Sequence, residues 1–345
     1  MKLLKVGISH GDINGISYEL LLKVLQDPEL TEVCTPVIFG SAHVAKAVAR
    51  QINVELPQFH IIHRAEEATD GHFNLVNVCH EAEPEVQFGQ QTEAALQAEA
   101  QSLTAALDAY CHHHIDALIT LPGHLSNNDG THSLSDFIRR ALDVQGESFD
   151  WVINDAARTL QLHHMDVSTQ LGEGLASEAF QTHLTSISHN LLQDFGIMRP
   201  RLAVISPIAK LQNDLEELRE LGINAFGPFN ATTFLEGGWQ LHYDGSIFLN
   251  DEEARAAILA DDPAQQNIGY VSGLPIVLTY PLQGIGYEQA GQGLSDETSL
   301  RKAIYAAIDI ERHRHSYYMA TRHPLEKQWI PRGRDDFKLD LTKEE

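Results

Sequence analysis

Thiols are scarce in this sequence: three cysteines in 345 residues, Cys34, Cys79 and Cys111, stand far apart with no CxxC pair. A disulfide framework and a thiolate zinc site are therefore not expected. Positive charge is scarce too, with 24 Lys and Arg against 48 Asp and Glu and a net charge of −24. A field of that sign repels phosphodiester backbones and anionic lipid, so neither nucleic acid nor a membrane is an expected partner. No apolar run approaches the roughly 20 residues that cross a bilayer. The opening run Leu3–Ile8 stops at Gly11-Asp12, which is too short for a secretory segment, so a cytoplasmic location is expected. No GxGxxG follows the first strand-like run, and a Rossmann-type dinucleotide site is not indicated.

What is present is the composition of an ordinary globule, 43% hydrophobic and 21% charged, in a chain long enough for two domains or one large α/β unit. Strand-like runs alternate with helical patterns. Leu3–Ile8 precedes helical Ser17–Leu25, Pro36–Phe39 precedes Ala42–Ile52, and Phe73–Val78 precedes the Ala/Gln/Glu-rich Thr92–Tyr110 and then Ile115–Leu121. The second half continues with helical Phe180–Leu192, strand-like Arg201–Ser206, helical Leu211–Leu221 stopped by Gly222, and strand-like Ile276–Thr279. A last helix is expected over Leu294–Ile310 with Ser295 as its N-cap, and from Glu311 the chain turns aromatic and charged. This order implies an α/β fold with a largely parallel sheet.

The Gly11–Gly15 turn stands between a strand and a helix, where backbone amides can bind an anion and where Asp12 and Asn14 can equally cap the helix. Among 19 histidines, His112-His113-His114 closes a helix, where it complements the helix dipole; a chelating triplet is the alternative.

Several stretches in order resemble the 4-hydroxythreonine-4-phosphate dehydrogenase family of vitamin B6 (pyridoxal phosphate) biosynthesis. They are Gly11-Asp12-Ile13-Asn14-Gly15-Ile16, Phe195-Gly196-Ile197 with Arg199-Pro200-Arg201, Gly227-Pro228, Gly273-Leu274-Pro275, and Ala290-Gly291 with Gly293-Leu294 leading to Ala303-Ile304-Tyr305. The resemblance implies the fold of the isocitrate and isopropylmalate dehydrogenases: two α/β domains with a cleft between them, in a homodimer whose partner completes the cleft. Residues 1–130 plus about 280–345 are expected in the first domain, and 131–279 in the second, which also dimerises. It further implies NAD and a divalent metal, zinc or magnesium, holding the hydroxyl to be oxidised.

The resemblance also says where those groups should be held, and most are replaced. Of three expected histidine ligands, His164 alone matches. The second position falls in Ser206-Pro207-Ile208-Ala209-Lys210 and the third in Leu249-Asn250-Asp251-Glu252, where Asp251 offers oxygen instead. In the phosphate motif Leu134 replaces histidine and Ser135 replaces threonine, with His132 two residues away. Leu125 replaces a lysine, and the family's substrate lysine, asparagine and arginine align with Leu259, Gly269 and Leu278. The cofactor loop becomes Tyr280-Pro281-Leu282-Gln283-Gly284-Ile285-Gly286, in which Gly284 and Gly286 are the candidate cofactor contacts or simply turn residues.

The expectation is a divergent family member, a pseudoenzyme lacking the family activity and serving as a binding or regulatory scaffold, as a homodimer or as a heteromer with an authentic family dehydrogenase. The alternative is an active oxidoreductase with a non-phosphorylated substrate, using His164 with Asp251 or Asp136 as the candidate catalytic carboxylates.

Overall fold

In the computed structural model the described residues are 3–79, 84–125, 134–154, 158–161, 176–207, 211–261 and 266–322. The first strand, β1 (Lys5–Ser9), is buried beyond its first residue, and β2 (Thr35–Gly40) is buried throughout, as continuous Val/Ile/Phe runs demand when both sheet faces are covered. Further strands are β3 (Phe59–Ile62), β4 (Phe73–Asn77), β5 (Ala117–Thr120), β6 (Phe149–Ile153), β7 (Arg158–Gln161), β8 (Leu202–Ile205), β9 (Ala225–Phe229), β10 (Gly245–Phe248), β11 (Ile268–Ser272) and β12 (Val277–Pro281). They form one sheet in the order β3-β4-β2-β1-β5-β12-β11-β6-β7-β10-β8-β9. The pairing is parallel except where β11 meets β12 and β6, and where β6 meets β7.

The helices are α1 (Ser17–Val24), α2 (Leu30–Val33), α3 (Ala42–Ile52), α4 (Glu93–Cys111), α5 (Leu134–Ala141), α6 (Ala176–Phe195), α7 (Leu211–Glu220), α8 (Ala231–Glu236), α9 (Asp251–Asp261) and α10 (Thr298–Thr321). Local chemistry sets their ends. The Ser41 hydroxyl accepts the Val44 N–H at 3.3 Å to start α3, and Thr92 accepts that of Ala95 at 3.2 Å to start α4. The histidine triplet closes α4 as expected of a C-cap: His113 takes a left-handed φ of 58°, and the His113 and His114 N–H groups return to Tyr110 O and Ala109 O, each at 2.8 Å.

Two expectations at the last helix are corrected. Ser295 is not its cap. Its hydroxyl has no partner while its N–H donates to Glu19 Oε1 at 2.7 Å, and Asp296 Oδ1 instead accepts from the Thr298 N–H at 3.0 Å and hydroxyl at 2.6 Å. The helix also runs to Thr321, well past Glu311. Arg314 anchors that extension: its Nε donates to buried Asp194 of α6 at 2.6 Å and its Nη2 to the Tyr270 hydroxyl of β11 at 2.9 Å, while Tyr270 donates to the other Asp194 oxygen. A buried guanidinium so paired ties three elements together, because removing either Asp194 or Arg314 would strand the other's charge away from water. Tyr317 adds an edge-on contact with His189 of α6.

Candidate functional site

β1 and β5 are neighbours, yet the chain leaves β1 towards β2 on the other side, so the two loops at their carboxyl ends face each other across a topological switch point. Gly11, at φ 63°, lets the first loop press against the second, since a Cβ there would collide with the Leu121 and Pro122 carbonyls. Asp12 N–H then donates to Pro122 O at 2.9 Å, Asn14 N–H to Asp12 Oδ1 at 2.7 Å, Gly15 N–H to Asp12 O at 3.3 Å and Ile16 N–H to Ile285 O at 2.9 Å. These amides are spent inside the protein, which corrects the reading of the turn as an anion cradle. The capping alternative is corrected too: α1 has no side-chain N-cap, and Asn14 instead accepts the Gln87 N–H at 2.7 Å and donates to Gln90 O at 2.9 Å and Thr92 Oγ1 at 3.0 Å.

Asp12 is fully buried, and its second oxygen accepts the Tyr287 hydroxyl at 2.5 Å and lies 3.2 Å from His124 Nε2. His124 Nε2 is in turn 2.9 Å from the Tyr287 oxygen. Beneath them the buried Glu99 carboxylate of α4 accepts the N–H groups of His124 at 3.0 Å and Leu125 at 2.8 Å. Burial pushes the Glu99 carboxyl up, against the pull of those two amides. Burial, and then the bond to Asp12, likewise push the Tyr287 hydroxyl up, so it stays a donor. One layer deeper, burial drives His10 down to about 4; its Nδ1 donates to Gly11 O at 2.8 Å and its Nε2 has no partner. The Asp12 carboxylate, the Tyr287 phenol and the His124 imidazole lie within hydrogen-bond reach and can hold and exchange a proton, with half-buried His124 and Tyr287 as the members nearest solvent and Glu99 fixing the peptide that carries His124.

The loop carrying the candidate cofactor glycines joins this site. Gly286, at φ 65°, packs on Ile16, where a Cβ would come within 2.8 Å of Cγ2, so its place is dictated by the turn. Gly284 has no positive φ and open space where a Cβ would stand.

The other predicted residues do not gather there. Asp136 on α5 is ion-paired with Arg139 at 3.8 Å. Asp251 is the first residue of α9, whose amino end is capped by Asn250 Oδ1 accepting from the Glu252 and Glu253 N–H groups at 2.9 and 3.1 Å. His164 and His132 lie outside the described residues. Among the described residues no group of three or more His, Cys, Asp and Glu could hold a metal. At two of the three positions where the resemblance places histidine ligands the sequence has isoleucine and aspartate, a donor set that does not fit a three-histidine centre.

Several positions that the resemblance assigns to phosphate and substrate contacts are apolar in the structure. Leu134 and Leu278 are buried, at 5% and 0% exposure, in one cluster with Ile138, Val271 and Leu274, and half-buried Leu125, Phe137 and Tyr280 pack against it. Gly269 faces Tyr280 across the β11–β12 ladder, and a Cβ on Gly269 would fall inside the Tyr280 ring. The tyrosine therefore occupies the space that an asparagine at 269 would need. Ser135 donates to Asp150 Oδ2 at 3.2 Å.

Sequence reasoning passed over His124, Tyr287 and Glu99. Glu99 did carry a signal: it lies on the face of α4 that buries Ala95, Ala98, Ser102, Leu103 and Ala106, and an acid on such a stripe needs partners.

A doubly covered α/β sheet with a polar cluster at its switch point is the architecture of a large class of small-molecule enzymes. Within that class, the sequence profile described as "Pyridoxal phosphate biosynthetic protein PdxA" matches residues 32–206 and 208–307. The chain is 32% identical to the 4-hydroxythreonine-4-phosphate dehydrogenase of Bacteroides thetaiotaomicron, over 98% of this chain and 97% of that one. It is 23% identical to the D-threonate 4-phosphate dehydrogenase of Cupriavidus necator, over 90% and 98%. The crystal structure of the 4-hydroxythreonine-4-phosphate dehydrogenase from Klebsiella pneumoniae has the same fold, with a TM-score of 0.68 at 16% identity over 90% of this chain and 98% of that one. The chain belongs to the PdxA family.

Proposed function

We propose that this chain is a divergent homologue of the NAD-dependent 4-hydroxythreonine-4-phosphate dehydrogenases that does not carry out that oxidation and uses the family fold as a binding or regulatory scaffold. The observation that supports this reading is that the Tyr280 ring of β12 fills the space a side chain at Gly269 of β11 would need, while Leu278 and Leu134 are buried. A phosphate dianion needs donors and cations, and leucine supplies neither. Burying the dianion against this cluster would cost far more than the remaining polar groups return. The scaffold acts in the cytoplasm as a homodimer, or as a heteromer with an authentic family dehydrogenase. No helix of the described residues is long and apolar enough to cross a membrane.

The test is an assay of the purified full chain on 4-hydroxythreonine-4-phosphate with NAD or NADP and with zinc or magnesium. No reduction of either cofactor is expected. Metal-dependent turnover abolished by His164→Ala overturns the proposal. A second reading, an oxidoreductase with a non-phosphorylated substrate, is favoured by the intact Asp12–Tyr287–His124 network and by the open space beside Gly284. Reduction of NAD by an unphosphorylated hydroxy acid, lost in His124→Ala, would select it.

A further inference from the structure

On the side of α4 turned away from the switch point lies a cavity of about 940 Å³. Its floor is the carboxyl end of β2 and β4, with Phe39 and Val76; one wall is α4, with Gln101, Thr104 and Ala105; the other is the turn after β3, with Arg64. The walls are tied at one end, where His114 Nε2 meets Glu66 Oε2 at 3.7 Å. The cavity is a groove open to solvent, since Arg64, Glu66, Gln101, Thr104 and Asp108 on its walls are exposed. It lies, like small-molecule sites in α/β sheets, at the carboxyl ends of parallel strands.

Two polar groups in this cavity lack the partner their chemistry calls for. Asn77 Oδ1 is wholly buried at the end of β4 and receives no hydrogen bond. A buried acceptor without a donor is unfavourable by about 1–3 kcal/mol, so it marks a place where a donor is missing. The exposed Arg64 side chain forms no ion pair or hydrogen bond with a described residue and stands on the wall of this groove.

We propose that this cavity is a ligand site for a small amphipathic organic anion: an apolar body lying on Phe39, Val76 and Ala105, an N–H or O–H donor reaching Asn77 Oδ1, and a carboxylate or sulfonate paired with Arg64. The site is separate from the switch point, since α4 presents Glu99 to one and Gln101, Thr104 and Ala105 to the other. It does not depend on whether the chain oxidises anything.

The probe is 8-anilinonaphthalene-1-sulfonate, which has an aromatic body, one N–H donor and one sulfonate. Fluorescence titration of the full-length protein should give saturable binding of one dye per chain. Filling the cavity by Gln101→Trp, at an exposed position that leaves the core intact, should weaken binding by at least about tenfold, and Ala105→Trp should do the same. Arg64→Ala should weaken it by about tenfold, as loss of one charge-assisted contact does. Melting temperatures establish that each variant is folded, and if Ala105→Trp does not fold then Gln101→Trp decides. No saturable binding, or binding unchanged in folded Gln101→Trp, overturns the site. Loss in the tryptophan variants with no effect of Arg64→Ala overturns the anionic class of ligand.

Discussion

Two neighbouring residues, His124 and Leu125, point into two different kinds of protein. The His124 side chain joins Asp12 and Tyr287 in a hydrogen-bonded network over Glu99, while Leu125 packs against the apolar cluster of Leu134, Leu278 and Tyr280. Glu99 holds both, through the two adjacent backbone N–H groups. The border between a polar network and an apolar cluster thus runs along a single peptide unit. A polar group at the end of a buried strand persists when it satisfies the turn around it, as Asp12 satisfies the Asn14 amide. A polar group that exists only to meet a ligand has no such internal duty. Once replaced by leucine, its place is closed by packing, which itself contributes stability.

The sharpest way to break this comparison is to restore a family charge on the filled side. Leu278→Arg would place a guanidinium at a fully buried position between β5 and β11. It should destabilise by about 4 kcal/mol, as an unpaired buried charge does. Urea unfolding reads the loss, and a cost under about 1 kcal/mol would mean that the pocket is still open to water.

On the polar side the expected effect depends on pH. His10 is held down to about 4 from 6.5 by burial. It is neutral when folded, so this group exacts nothing above pH 6.5; stability is lost as pH falls from 6.5 towards 4, because the unfolded chain takes up the proton first. The loss from this residue should reach roughly 3 kcal/mol by pH 4. His10→Gln should therefore leave unfolding at pH 7.5 within about 1 kcal/mol of the parent and flatten the acid limb, measured by denaturant titration at several pH values. An unchanged slope would show that His10 is solvated.

Much of the scaffold was legible before any coordinates. Pro36–Phe39 and Arg201–Ser206 are strands because unbroken apolar runs between turn residues have few other fates in a two-faced sheet. Ala42–Ile52 is a helix over just those residues because Ser41 and Asn53 mark both ends locally. What was not legible depends on partners far along the chain. β6 and β11 pair across more than a hundred residues. The extension of α10 rests on Arg314 finding Asp194, and the switch-point network joins residues 12, 99, 124 and 287. Replacement of polar residues by Leu134 and Leu278 could be read from the resemblance. That Tyr280 and Gly269 exchange volume could not, because it follows from strand register.

That exchange gives a smaller but more specific prediction. Gly269→Asn should cost about 2 kcal/mol, since the new side chain must displace the Tyr280 ring. In the Tyr280→Ser background the same change should cost about 1 kcal/mol less, a coupling that a double-mutant cycle measures. Strict additivity would mean that the two positions do not share space.

The smallest expected effect separates a structural network from a working one. Tyr287→Phe removes the hydroxyl that donates to Asp12 and faces His124, yet Asp12 keeps the Asn14 amide and His124 beside it. The hydroxyl sits on a half-buried residue, so the acceptor it leaves can recruit water. About 1 kcal/mol of stability should be lost, visible as a small fall in the urea midpoint with an unchanged slope. His124 should respond differently: without the phenol its Nε2 is left to Asp12 alone, so the ring should stay in place while its Cε1–H signal in NMR shifts. Loss of a single ordered His124 ring signal would mean that Tyr287, rather than Asp12, is what holds the imidazole in place. The filled cluster on the other side of the same peptide unit should not register the change, and the Leu125 methyl shifts serve as the internal control.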